Sequence, residues 1–245
     1  MSPLKDVLTI TALAGMGGTG LGGALAALGP KHAEERFVSL LLSFAAGVMT
    51  ALVCLDLLPE ALDAGGLVLA SLALSGGCAV TAGLEGLLSR RGSTRQGLLL
   101  SGLITAAAIA VHNLPEGMVI GAAWALDRRT ASAAGMTMAV VIGLHNIPEG
   151  MAVAAPLIGG GCSRRRAVLT TALAGAPTVL GAAMGYSLGT MGPRALALSL
   201  GFAGGAMLYV VFAQLLPESA ALWRSRLPAW AALGGILTGL VILRT

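Results

Sequence analysis

FAAGVMTALVCLDLLPE at residues 44–60 returns as FAGGAMLYVVFAQLLPE at residues 202–218. Phe, Ala, Gly, Met, Val and the closing Leu-Leu-Pro-Glu recur at matching places. Each copy sits inside a long apolar run. A helix needs about 20 mostly apolar residues to cross a bilayer. Eight runs qualify as candidates, at approximately 7–29, 37–62, 66–88, 97–125, 131–158, 166–190, 195–218 and 229–243. The repeated segments are the second and seventh of these. An odd number of steps separates them, so they cross in opposite directions, which makes the repeat an inverted one. Crossings one to three then match six to eight and leave four and five as an unpaired central pair. The expectation is an all-α integral membrane protein. It is a single domain spanning 1–245, with eight transmembrane helices in a 3+2+3 inverted-repeat bundle.

Composition agrees with this class. Of the 245 residues 56% are hydrophobic and 11% are charged, whereas soluble domains carry about 25% charged residues. That excludes an ordinary soluble domain and a disordered chain. Aromatics make up only 4% while Gly reaches 36 residues, which suits helices whose backbones approach closely at small residues. The first run is longer than the hydrophobic region of a signal peptide and is kept as a crossing. The net charge of +4 does not point to nucleic acid, because the arginines cluster between apolar runs, as topology signals do. With both termini outside, the inner loops hold Lys31, Arg36, Arg90, Arg91, Arg95, Arg164, Arg165, Arg166, Arg224 and Arg226; the outer segments hold Lys5, Arg128, Arg129, Arg194 and Arg244. This bias places a multi-pass protein in the cell (inner) membrane, in contact with lipid, with both termini outside the cytoplasm. Arg164–Arg166 read as a topology anchor, with lipid binding as the other reading. Cys54, Cys78 and Cys162 show no CxxC spacing, and no disulfide framework is expected.

The central pair carries the chemistry. HNLPEG at 112–117 and HNIPEG at 145–150 place the same six-residue pattern inside the fourth and fifth crossings. His and Glu at i and i+4 share one helix face. His112 with Glu116 and His145 with Glu149 therefore present two imidazoles and two carboxylates to each other. That N/O set suits Zn²⁺ or another first-row divalent ion. Ionisable groups inside a membrane are costly and mark function. Such ligands bind as neutral imidazoles and ionised carboxylates, so affinity should weaken as pH falls. Pro115 and Pro148 each remove a helical hydrogen bond and are expected to bend their helices. Asn113 and Asn146 lie about 100° further around the helix and can hold water or a second ion beside the first. Asp56 and Glu60 on the second crossing read either as a cation-attracting ladder or as ordinary helix-end carboxylates. Glu218, the repeat partner of Glu60, falls near a candidate inner exit. Glu85 reads as a snorkelling side chain or a partner of Arg90.

The doubled HNxPEG motif, the eight runs, the short loops and FAAGVM in the second run resemble the ZIP family of divalent metal transporters, especially bacterial zinc-uptake members. The likeness covers essentially the whole chain. It implies the 3+2+3 arrangement, ion movement toward the cytoplasm, and a homodimer. It implies a metal site of His112, Glu116, His145 and Glu149. Met49 resembles a methionine that can join that site, with simple packing as the alternative. Asn113 and Asn146 match a second site bridged by the same glutamates, and Asp63 resembles an acidic residue at the outer mouth. Two departures stand out. Many relatives carry a helix-six glutamate that completes the second site, and Thr178 stands in its place here. Gln214 occupies a position often acidic or preceded by His. The expected cargo is Zn²⁺, with Fe²⁺, Mn²⁺, Co²⁺ and Cd²⁺ as other candidates, and no resident cofactor.

The competing class is an intramembrane metal-dependent hydrolase, whose metal would activate water. No HExxH motif occurs, no separate base accompanies the cluster, and inverted repeats typify alternating-access transporters. The expectation is therefore a transporter and not an enzyme.

Overall fold

A computed structural model of the chain describes residues 3–28, 35–91, 98–126 and 133–243. Lys31, Arg95, Arg128, Arg129 and Arg244, on which part of the orientation reading rests, lie outside these residues, as do most of the connecting loops. Every regular element among the described residues is helical. Six stretches are long and apolar enough to cross a membrane: Leu4–Leu28, Arg36–Leu87, Gly102–Ala125, Ala134–Gly159, Arg164–Thr190 and Pro193–Leu222. The sequence gives eight candidates, and the difference has two sources. Arg36–Leu87 spans 52 residues, about 78 Å of helix at 1.5 Å per residue, against a hydrocarbon core of about 30 Å. Gly66 interrupts it with φ 75° and ψ 170°, a conformation open to glycine and strained for side-chain-bearing residues. The last helix, Leu227–Ile242, has 16 residues, short of a full crossing at that rise.

The elements in order are α1 (Pro3–Ala12), α2 (Gly18–Leu28), α3 (Glu35–Leu52), α4 (Leu58–Arg91), α5 (Leu98–Leu126), α6 (Ala133–Gly159), α7 (Arg164–Ala174), α8 (Pro177–Thr190), α9 (Pro193–Val210), α10 (Leu216–Leu222) and α11 (Leu227–Ile242). Wide π turns join three pairs end to end: Leu13–Gly17 between α1 and α2, Val53–Leu57 between α3 and α4, and Val211–Leu215 between α9 and α10. The sixth run does not continue unbroken as the sequence suggests. It breaks at Gly175–Ala176, because Pro177 has no N–H to continue the ladder and instead begins α8. Pro115 and Pro148, by contrast, lie inside continuous helices α5 and α6.

Packing sorts the helices into two groups. α5 and α6 pack on each other, α6 along α2 and α5 along α8; α4 lies along α9, and α3 along α11 and α10. Glycines set these seams. A Cβ on Gly77 would strike the carbonyl of Phe202, and one on Gly235 would strike that of Phe44. Gly205 meets Leu74 and Gly47 meets Ala232 in the same manner. Each contact has a counterpart 158 residues on: 44 to 202, 47 to 205, 74 to 232 and 77 to 235. The π turns at 53–57 and 211–215 obey the same offset. In the other group Gly150 abuts the Thr19 carbonyl and Gly22 that of Ile147, while Gly117 abuts Thr178 and Gly181 abuts Leu114. The glycine of each HNxPEG motif is thus a seam residue for the helix beside it.

Candidate metal site

Glu116 comes from α5, and His145 and Glu149 from one face of α6. The His145 Nε2 lies 2.9 Å from Glu116 Oε1 and 3.4 Å from Glu149 Oε1. An ionised carboxylate only accepts, so this nitrogen carries the proton and donates it. One ligand atom from each of the three residues falls within 4.8 Å of the others. Both glutamates have no exposure and His145 has 5%. Two carboxylates around one imidazole bring excess negative charge into an apolar interior, which a divalent cation would offset. The side chain of His112 lies outside the described residues, and its backbone one turn before Glu116 is helical.

Two asparagines flank this cluster, each three residues before a glutamate. Asn113 Nδ2 donates to the carbonyl of Ala174 at 3.0 Å, and Asn146 Nδ2 to that of Ala14 at 3.4 Å. Ala174 ends α7 at the helix break, and Ala14 lies in the first π turn. Irregular backbone supplies carbonyls that an uninterrupted helix would use internally. Because a carbonyl only accepts, each amide must turn its nitrogen toward it. The Oδ1 atoms of both asparagines are buried and have no hydrogen-bond partner among the described residues. The helix breaks thereby orient two neutral oxygen donors.

Comparison with known proteins bears on this arrangement. The profile of the ZIP zinc transporter family matches residues 88–243, which include both HNxPEG motifs. A zinc transporter ZupT of Chlorobium luteolum is 34% identical over 99% of this chain and 97% of its own length. The ZupT of Corynebacterium efficiens is 32% identical over 93% of the chain and 92% of that protein. The human zinc transporter ZIP11 is 39% identical over 53% of the chain and 39% of its length. The chain belongs to the ZIP zinc transporter family.

Within this ZIP chain the remaining sequence candidates fall into three places. Met49 is buried at 1% exposure in the apolar cluster that also holds Leu42, Met118 and Ile142. Asp56, in the second π turn, and Glu60 are half-buried, and Asp63 is exposed. None of these three joins the cluster at His145 among the described residues. Gln214 and Glu218 line a cavity of about 410 Å³ whose wall also includes Glu149, Thr105 and Glu85. Glu85 is the residue that sequence reading undervalued. It faces this cavity, where the Tyr209 hydroxyl hydrogen-bonds to it. Nothing local in Gly-Leu-Glu-Gly distinguishes a snorkelling carboxylate from a cavity-lining one, since the difference is made by α9 packing alongside.

Thr178 is fully buried. Its hydroxyl donates to the Gly175 carbonyl at 2.7 Å, and a Cβ on Gly15 would lie 2.5 Å from that hydroxyl oxygen. It therefore closes the seam of α8 against the first π turn and adds no charge. Neutral amide oxygens cannot offset the repulsion of a second dication placed beside the first. The purified protein should titrate to about one tightly bound zinc per chain by calorimetry, and Thr178→Glu, where it folds, should raise this toward two. Two equally tight ions in wild type would show that a further ligand has been missed.

Proposed function

We propose that this chain carries divalent transition-metal ions, Zn²⁺ foremost, across a membrane toward the cytoplasm through a site of Glu116, His145, Glu149 and His112. The observation that carries the reading is the buried carboxylate–imidazole–carboxylate cluster on two adjacent helices. Its N/O donor set and its depth fit a borderline-soft dication in transit. The named relatives are zinc transporters. The cavity that reaches Glu149 past Gln214, Glu218 and Glu85 supplies an acidic way between the cluster and one face of the protein. Asp63, Asp56 and Glu60 serve the approach from the opposite face. Met49 is a soft contact available to the ion from α3, and the Asn113 and Asn146 oxygens hold its water or a weak second ion. Fe²⁺, Mn²⁺, Co²⁺ and Cd²⁺ are further candidate cargoes.

The same proposal takes Gly66 as the turn between two crossings and Leu227–Ile242 as an eighth. The matched seam glycines and π turns, each 158 residues apart, support a 3+2+3 inverted repeat within one domain. The protein then lies in the cell (inner) membrane, with both termini outside the cytoplasm, and works as a homodimer rather than as an enzyme. Zinc flux into proteoliposomes containing a fluorescent chelator tests the central claim. Uptake that saturates with external zinc is the expected result. Vesicles no more permeable than protein-free ones would sink it.

A further inference from the structure

A second cavity, of about 480 Å³, lies on the other side of α10 from the acidic one. Its wall runs from Ser43 on α3 and Ala220 on α10 to Trp223, Arg224 and Ser225 in the turn and Pro228 at the start of α11. Its volume is that of an ordinary ligand pocket, and its two ends differ in chemistry. One end is basic. Arg224 lines the cavity, and the guanidinium of Arg36 sits 5.6 Å from the ring centroid of Trp223, stacked over it. Arg224 and Arg226 make no ion pair among the described residues. The other end is apolar and ends at Ser43, seven residues and about 10 Å of helix from Arg36. The Ser43 hydroxyl is taken up by Ser219 at 2.7 Å, so the inner end has little polar capacity left.

A basic, tryptophan-bearing mouth over an apolar cleft matches the layered chemistry of a lipid at a membrane interface. A free anion would use the mouth and leave the cleft empty; an apolar molecule would use the cleft and leave the guanidinium unmatched. We propose that this cleft seats one anionic phospholipid, its phosphate at Arg224 and part of its acyl chain against Ala220 and Pro228. The site is separate from the metal cluster and requires no metal.

Trp223 is a built-in reporter. In full-length protein carrying Trp124→Phe and Trp230→Phe, only Trp223 remains. In vesicles, brominated phosphatidylglycerol should quench it at a several-fold lower mole fraction than brominated phosphatidylcholine. Arg224→Ala should remove that preference, and Ala220→Phe should weaken quenching by filling the cleft without changing charge. Arg194→Ala, at the start of α9, should leave both lipids as they were. Equal quenching by the two lipids, or a preference that survives Arg224→Ala, overturns the proposal. Loss of the preference on adding millimolar inorganic phosphate would assign the mouth to a soluble anion and likewise overturn it. Protection of Trp223 from both lipids would put a second copy of the chain there instead.

Discussion

Glu149→Gln should lower zinc uptake into proteoliposomes by about a hundredfold or more, since loss of even a residue one shell removed from a metal costs 10–100-fold. Glu149 has two roles that coincide at one side chain. It lies 3.4 Å from the His145 Nε2 in the buried cluster, and it forms the deepest acidic wall of the 410 Å³ cavity. The amide keeps the volume of the carboxylate and so spares the packing of a residue with no exposure. It removes the charge that holds the ion and the charge that an ion meets on leaving. His145→Ala should give a comparable loss by removing the nitrogen that lies between two carboxylates. Glu218→Gln, on the cavity wall but outside the cluster, should cost far less. Uptake by Glu149→Gln within about twofold of wild type, from protein that elutes as a single species, would remove this residue from the site.

Gly117→Ala and Gly150→Ala should each destabilise the protein, against the intrinsic preference of helices. Alanine in a helix interior is favoured over glycine by roughly 0.5–1 kcal/mol. At Gly83, where an added Cβ meets nothing within 4 Å, that preference should appear as a small gain. At Gly117 and Gly150 the new methyl would meet the backbone carbonyls of Thr178 and Thr19. A backbone carbonyl cannot swing aside as a side chain can, so the helices must part, at a cost of about 1–3 kcal/mol. Thermal melts of the three variants in one detergent should therefore shift in opposite directions. The same sign at all three positions would mean that the seams are looser than these contacts require. Because each glycine directly follows a site glutamate, the two seam variants should also weaken zinc binding.

The parts legible in the sequence are those that chemistry forces into a local pattern. HNxPEG needs its His and Glu one turn apart, and the helical spacing alone brings His145 to Glu149. Apolar runs betray crossings because lipid accepts little else; the run boundaries fall within a few residues of helices α5, α6 and α11. What the sequence hides depends on neighbours. The break in the sixth run follows from Pro177, yet Pro115 and Pro148 sit in unbroken helices. The same residue type gives two outcomes because the surrounding helices decide which backbone is held straight. Glu85 became notable only once Tyr209 lay beside it. The π turns carry no propensity signal at all. Leu13–Gly17, Val53–Leu57 and Val211–Leu215 read as ordinary helix.

Those π turns make residue count a quantity under selection. A π turn is an α-helix holding one residue too many. Delete any one residue from Val211–Leu215 and the strain is relieved, but everything beyond rotates by about 100° about the axis. Glu218 would turn off the acidic cavity, and Ser219 would leave its 2.7 and 2.8 Å bonds to Ser39. Across descendants of this gene, substitutions should therefore accumulate freely in 211–215 while insertions and deletions are purged. The opposite should hold in the connecting loops, where length drifts at little cost. A tally of gaps by position, indifferent to which amino acids occur, would then trace the functional register of the helices.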